Sequence, residues 1–89
     1  MIINKYPYSK ELMLSAIYDA LDSLGMPILS ANRERGTVVI IPPQSSSRIR
    51  IAVNEGGGIA EVAVIPEGGD TIELCGVIAD EISSVIKKS

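Results

Sequence analysis

ALDSLGMPILSANRERGTVVI, residues 20–40, is the stretch that decides the fold of this chain. Its first residues end an amphipathic helix. Gly25 and Pro27 stop that helix, because glycine accepts the left-handed conformation and proline lacks an amide hydrogen. Two short apolar runs follow, separated by polar residues that end in Arg35-Gly36. The stretch therefore predicts a helix that leads directly into a β-hairpin.

Two amphipathic helices are predicted, one on each side of a group of strands. The first begins at Ser9, whose hydroxyl can accept a hydrogen bond from an unpaired backbone N–H. The second begins at Asp70, which with Glu73 resembles a capping box with aspartate in the serine position. Apolar residues recur along each helix at spacings of three and four, which is typical of a helix with one buried face. The first stripe is Met13, Ala16, Ile17, Ala20, Leu21 and Leu24, and the second is Cys75, Ile78, Ala79, Ile82, Val85 and Ile86.

Four consecutive strands are predicted between the helices, and a brief fifth one before the first helix. The strand segments are 1–8, 27–33, 37–41, 48–53 and 59–65, with loops at 42–47 and 54–58. On the last two strands, the alternation points Ile49, Ile51, Val53, Ala60, Val62 and Val64 inward. Short connections favour an antiparallel meander. The predicted fold is α+β with the order β-α-β-β-β-β-α: a single domain, 1–89, whose antiparallel sheet of four or five strands carries both helices on one face.

The amino-acid composition restricts the kinds of core and of functional site that this chain can form. Tyr6, Tyr8 and Tyr18 are the only aromatic residues, so the core is expected to be aliphatic. The net charge of −3 gives no strong footprint for nucleic acid. Histidine is absent and Cys75 is the only cysteine, which excludes an internal disulfide and a thiolate metal cluster. No segment resembles a signal peptide or a membrane span, so we expect a cytoplasmic protein that does not bind membranes.

Several features could suggest catalysis or ligand binding, but each has a simpler interpretation. Gly56–Gly58 and Gly68-Gly69 are explained by turns, because neither matches a phosphate-binding loop. Cys75 lies within an apolar stripe and has no histidine partner, which favours a buried thiol over a nucleophile. The serines at 45–47 are expected to form a solvated loop. We therefore predict no enzyme activity, no cofactor and no metal.

Arginine is concentrated around the central strands, at Arg33, Arg35, Arg48 and Arg50. These side chains could form a weak anion-binding surface, but the strands lack the aromatic residues that stack on bases, so nucleic acid is not the expected partner. The simpler interpretation is that Arg50 pairs diagonally with Glu61 across the hairpin.

The sheet face opposite the helices is predicted to be more aliphatic than a small monomer usually leaves exposed. Either Val38 and Ile40 or Val39 and Ile41 join this face, because the register of the first hairpin is ambiguous. The predicted interface consists of Arg48, Arg50, Ala52, Ile59, Glu61, Ala63 and Ile65. The alternative is a moderately apolar face that simply stays exposed.

Part of this pattern resembles a family of small bacterial domains. The matching residues are Ser9, Ala20, Leu21, Leu24, Gly25, Ile28, Arg33, Gly36 and Val38. They resemble the helix-grip domains related to the lipoproteins of outer-membrane assembly, over roughly the first half of the chain. The resemblance implies a binding or assembly module. The lipoprotein members carry a signal peptide and a lipidated cysteine, and neither is expected in this chain.

Three classes of function remain open. The favoured hypothesis is a non-catalytic interaction or assembly module that forms a homo-oligomer, or docks another protein, through its open sheet face. The second is binding of a small apolar ligand between the sheet and the helices. An enzyme is the third.

Overall fold

The computed structural model describes residues 1–88 and confirms the predicted order of elements. The strands are β1 (Ile2–Tyr6), β2 (Ile28–Asn32), β3 (Thr37–Ile40), β4 (Ile49–Gly56) and β5 (Ile59–Pro66). The helices are α1 (Lys10–Ser23) and α2 (Ile72–Lys88), the second preceded by a 3-10 turn at Gly69–Thr71. All five strands form one antiparallel sheet in the order β1-β5-β4-β3-β2. The first strand therefore does join the sheet, at the edge next to β5.

Helix α1 has the ends that its sequence predicts. The Ser9 hydroxyl accepts a hydrogen bond from the Leu12 amide, 3.1 Å away. At the other end, the Gly25 backbone has a φ of +70°. The Met26 amide donates to the Leu21 carbonyl at 2.9 Å, and the Gly25 amide donates to the Asp22 carbonyl at 3.0 Å. This pair of bonds is a Schellman motif, which turns the chain out of the helix and towards β2.

The first hairpin contains a bulge. Ile28 pairs with Ile40 and Ser30 pairs with Val39, so Leu29 is an extra residue on β2. Because one inserted residue moves the following side chains to the other face, the bulge explains why the alternation in this segment is irregular.

The second hairpin is tighter than predicted. β4 continues to Gly56 and β5 begins at Ile59, so the predicted loop 54–58 shrinks to two residues. These are Gly57 and Gly58, with φ of +61° and +78°. Positive φ at both positions matches the right-handed twist of the strands, and glycine adopts it without steric cost.

Both helices pack on one face of the sheet, as predicted. Ile51 of β4, Val62 of β5 and Ile82 of α2 are buried in one aliphatic cluster. The inward residues of β4 and β5 are those that the alternation predicts. Tyr6 of β1 is partly buried, and its hydroxyl is 2.7 Å from that of Ser83 on α2. The core is thus a single layer between the sheet and the two helices.

The start of α2 differs from the predicted capping box. Asp70 lies inside the 3-10 turn, and its carboxylate accepts hydrogen bonds from the Ser45 hydroxyl at 2.9 Å and the Ser46 amide at 3.3 Å. Hydrogen bonds from Ser47 and Ser45 hold the pKa of this carboxyl below its ordinary value. The serine segment is therefore tied to the start of α2 and is more than a solvated loop.

Candidate interaction surface

The sheet face opposite the helices, here called the outer face, is the candidate site. Along β4, Ile49, Ile51 and Val53 are buried in the core, whereas the residues between them alternate to the other side. Because α1 and α2 both pack on the inner face, no helix of residues 1–88 covers the outer one. Any function of this face depends on what else can pack there.

The centre of the outer face is an uncharged row of residues that crosses four of the five strands. Ala52 of β4 is directly opposite Ala63 of β5. The row continues to Ile3 of β1 on one side and to Thr37 of β3 on the other. Ile3 is 47% exposed, whereas Ala63 is only 9% exposed. We call these four residues the alanine row; none of them is charged.

Two further rows flank the alanine row. On one side, Arg50 lies between Ile65 of β5 and Val39 of β3. On the other side, Glu61 lies between Lys5 of β1 and Asn54 of β4. The outer face thus has an uncharged centre, with Arg50 on one side of it and the neighbours Glu61 and Lys5 on the other.

The register of the first hairpin decides which valine and isoleucine belong to this face. Val38 and Ile40 are fully buried in the core, so Val39 is the β3 residue that faces outward. Ile41 follows the end of β3 and is exposed.

The seven predicted interface residues do not all lie together in the structure. Ala52, Ala63, Ile65, Glu61 and Arg50 lie together on the outer face. Ile59 is exposed at the hairpin end, and Arg48 precedes β4. The sequence interpretation missed Ile3 and Lys5, because the edge to which β1 would add was unknown.

The predicted diagonal pair between Arg50 and Glu61 is wrong. Arg50 is opposite Ile65, which is four residues further along β5 than Glu61. Four residues of strand span about 13 Å, which is too far for an ion pair between strands about 5 Å apart. The Arg50 Nη2 instead lies 3.4 Å from Glu67 Oε2, where both side chains remain partly exposed.

The four arginines do not form one basic surface. The Arg33 guanidinium lies over the Tyr18 ring of α1, 5.3 Å from its centroid, in a cation–π contact. Arg35 borders an open depression next to the start of α1, together with Lys10 and Glu55. The Lys10 ammonium donates to the Glu34 carbonyl and the Lys10 amide to the Glu55 carboxylate. These groups therefore connect the first hairpin, α1 and β4.

Cys75 is poorly suited to nucleophilic chemistry. The side chain is 1% exposed on the inward stripe of α2, and burial raises the pKa of its thiol. A raised pKa lowers the fraction of reactive thiolate. Within residues 1–88, no three His, Cys, Asp or Glu side chains are grouped so that they could hold a metal ion.

The layer between sheet and helices is filled with protein. Met13, Ile17, Ile51 and Ile78, which come from both helices and the sheet, are fully buried there. Depressions instead occur at the surface. One of about 220 Å³ lies between the two helices, lined in part by Leu12, and another lies at the hairpin end of the outer face.

Comparison with other proteins gives no family for this chain: no protein-family model matches it, and neither does any curated protein. The resemblance to helix-grip domains stays a prediction. In the part of the chain that the structure describes, neither helix combines the length and the apolar character needed to cross a membrane.

Proposed function

We propose that the protein is a non-catalytic assembly module that forms a homo-oligomer through the outer face of its sheet. The observation that carries this proposal is the placement of both helices on the inner face, which leaves an aliphatic sheet face uncovered. Ile3 and Ile65 lie on this face beside Ala52 and Ala63, and burying such apolar surface is favourable.

The outer face has a suitable size for a subunit interface. The five strands contain 30 residues, which at about 4.8 Å between strands and 3.3 Å per residue outline roughly 480 Å² of sheet. This flat outline is of the same order as the ~800 Å² of accessible surface that each subunit buries in a standard interface. A second copy of the same face matches it in outline and in apolar character.

Binding of a small apolar ligand between the sheet and the helices is the alternative. The close packing of that layer counts against it, because Met13, Ile17 and Ile51 fill the space that such a ligand would need. No observation on the described residues favours this alternative over assembly.

Sedimentation equilibrium of the parent protein and of Ile65→Glu tests the proposal. We expect an oligomer for the parent and a monomer for Ile65→Glu, because the new carboxylate would lose its water in the interface. Val77→Glu is the matched control, since Val77 is a 47% exposed apolar residue on α2, away from the sheet. Ala63 is a poorer test position, because it is only 9% exposed and a substitution there would also disturb the packing of the sheet. A parent that stays monomeric at high micromolar concentration would contradict the proposal.

A further inference from the structure

Arg50 and Glu61, two of the charged residues that flank the alanine row, are arranged diagonally, and Lys5 lies in the same row as Glu61. Arg50 precedes Ala52 by two residues on β4, and Glu61 precedes Ala63 by two residues on β5. Because β4 and β5 are antiparallel, these equal offsets lead to opposite sides of the row. Arg50 and Glu61 therefore cannot meet within one chain, but they lie at equal distances from the row.

Two copies that pack outer face against outer face by a two-fold axis have two aligned orientations. In the first orientation, the axis is parallel to the strands and lies between β4 and β5. It then places each Arg50 next to Arg50 of the partner subunit, and each Glu61 next to Glu61 of the partner subunit. Like charges next to each other oppose association. This orientation is disfavoured.

In the other orientation, the axis runs along the alanine row, perpendicular to the strands. Each Arg50 then lies next to Glu61 of the partner subunit, one strand spacing to the side. The residues on the axis, Ile3, Ala63, Ala52 and Thr37, each meet their own counterpart, and none is charged. This orientation places opposite charges together on both sides of the row.

The side chains are long enough for these contacts. Sheets that pack face to face are separated by roughly 10 Å. Small residues such as Ala52 and Ala63 at the centre allow that close approach. An arginine and a glutamate that point towards each other together span such a gap, and the guanidinium has enough N–H donors to keep its bond to Glu67.

We propose that two copies pack through their outer faces about a two-fold axis along the alanine row, with Arg50 of each copy paired to Glu61 of the other. This proposal rests on the self-association proposed above, and adds to it the orientation and the residues that select it. Face-to-face packing of two sheets in this way is also a known solution for covering an exposed sheet. The symmetric arrangement closes on itself, as a two-fold contact does.

Charge reversal tests the orientation. Arg50→Glu and Glu61→Arg should each raise the dissociation constant of the dimer about tenfold or more, because two symmetric attractive contacts become repulsive. The double variant should associate more tightly than either single variant, since its opposite charges have only exchanged places. Recovery is expected to be partial, because the introduced carboxylate lies near Glu67 and the introduced guanidinium lies opposite Lys5. An equimolar mixture of the two single variants should also associate, because each heterodimer contains two attractive contacts.

Two controls separate this contact from other effects. Glu67→Gln removes the partner of Arg50 in its own chain, and should change the dissociation constant by less than about threefold, as expected of an exposed pair. Asp80→Arg changes an exposed charge on α2 and should leave association unchanged.

The outcomes also separate this proposal from the proposed function. If Ile65→Glu dissociates the parent oligomer but neither the double variant nor the mixture restores association, the orientation is wrong and self-association stands. Single reversals that leave the dissociation constant unchanged overturn the orientation as well. A monomeric parent overturns both proposals.

Discussion

At the scale of single residues, Asp70 shows how a charged group takes a role that local spacing does not reveal. Its distance from Glu73 suggests a helix cap, yet its carboxylate bonds to Ser45 and Ser46, which are more than twenty residues away in the chain. The glycine at position 68 allows this arrangement, because a Cβ there would collide with the Ser47 side chain. The contact joins the loop before β4 to the start of α2.

Asp70 is expected to make stability depend on pH on the acid side. Its pKa in the folded protein is lowered, chiefly by hydrogen bonds from Ser47 and Ser45, so the folded state favours the ionised form. The stabilisation of the folded state by ionised Asp70 is present above the ordinary aspartate pKa of 3.8. It is lost as the pH falls through the lower pKa of the folded protein. Asp70→Asn should therefore be less stable than the parent near neutral pH, with the difference shrinking in acid. Denaturant unfolding of both proteins at several pH values measures this difference in the free energy of unfolding.

Asp80→Asn provides the comparison for that experiment, since Asp80 is an exposed carboxylate on α2. A difference between the parent and Asp70→Asn that stays constant from neutral pH into acid would contradict the assigned role of the carboxylate.

At the scale of elements, the helices were predictable because their signals are local. The apolar stripes, Ser9 and Gly25 act within a few residues of where they stand, and both stripes pack against the sheet as predicted. The strands were less predictable, because their partners are distant in the sequence. β1 could have joined any free edge, and the bulge at Leu29 depends on its pairing with β3. The outer face was accordingly predicted in part, and Ile3 and Lys5 were missed.

The hairpin between β4 and β5 is expected to require glycine at position 58 more than at position 56. Gly58 has a φ of +78°, and no neighbouring atom lies within 4 Å of the place that a Cβ would take, so Gly58→Ala would suffer only backbone strain. We expect a loss of roughly 1 kcal/mol in the free energy of unfolding. Gly56→Ala is the matched control, because Gly56 has equal space but no positive φ. Equal unfolding free energies for the two variants would contradict the turn geometry.

At the scale of the whole molecule, one aliphatic layer holds both helices on the sheet. Without phenylalanine or tryptophan, the layer depends on many medium-sized side chains, among them Ile51, Val62 and Ile82. The same architecture explains the outer face. The two helices cover the inner side of β1, β3, β4 and β5, whereas the residues of β2 stay exposed. Among residues 1–88 there is no third helix for the other side of the sheet. Stability and assembly therefore depend on opposite faces of the same sheet.

That separation predicts different results for two substitutions on α2. Ile82→Asp should prevent stable folding, because it removes packing from a fully buried position and leaves an unpaired charge in the core. Val77→Asp lies on the same helix but is 47% exposed, and should change the free energy of unfolding by no more than about 0.5 kcal/mol. Thermal melts followed by circular dichroism measure both. An Ile82→Asp protein that melts like the parent would show that α2 does not pack on the sheet as described. The outer face would then not be the exposed face of the sheet, because its exposure follows from the packing of α2 on the inner face.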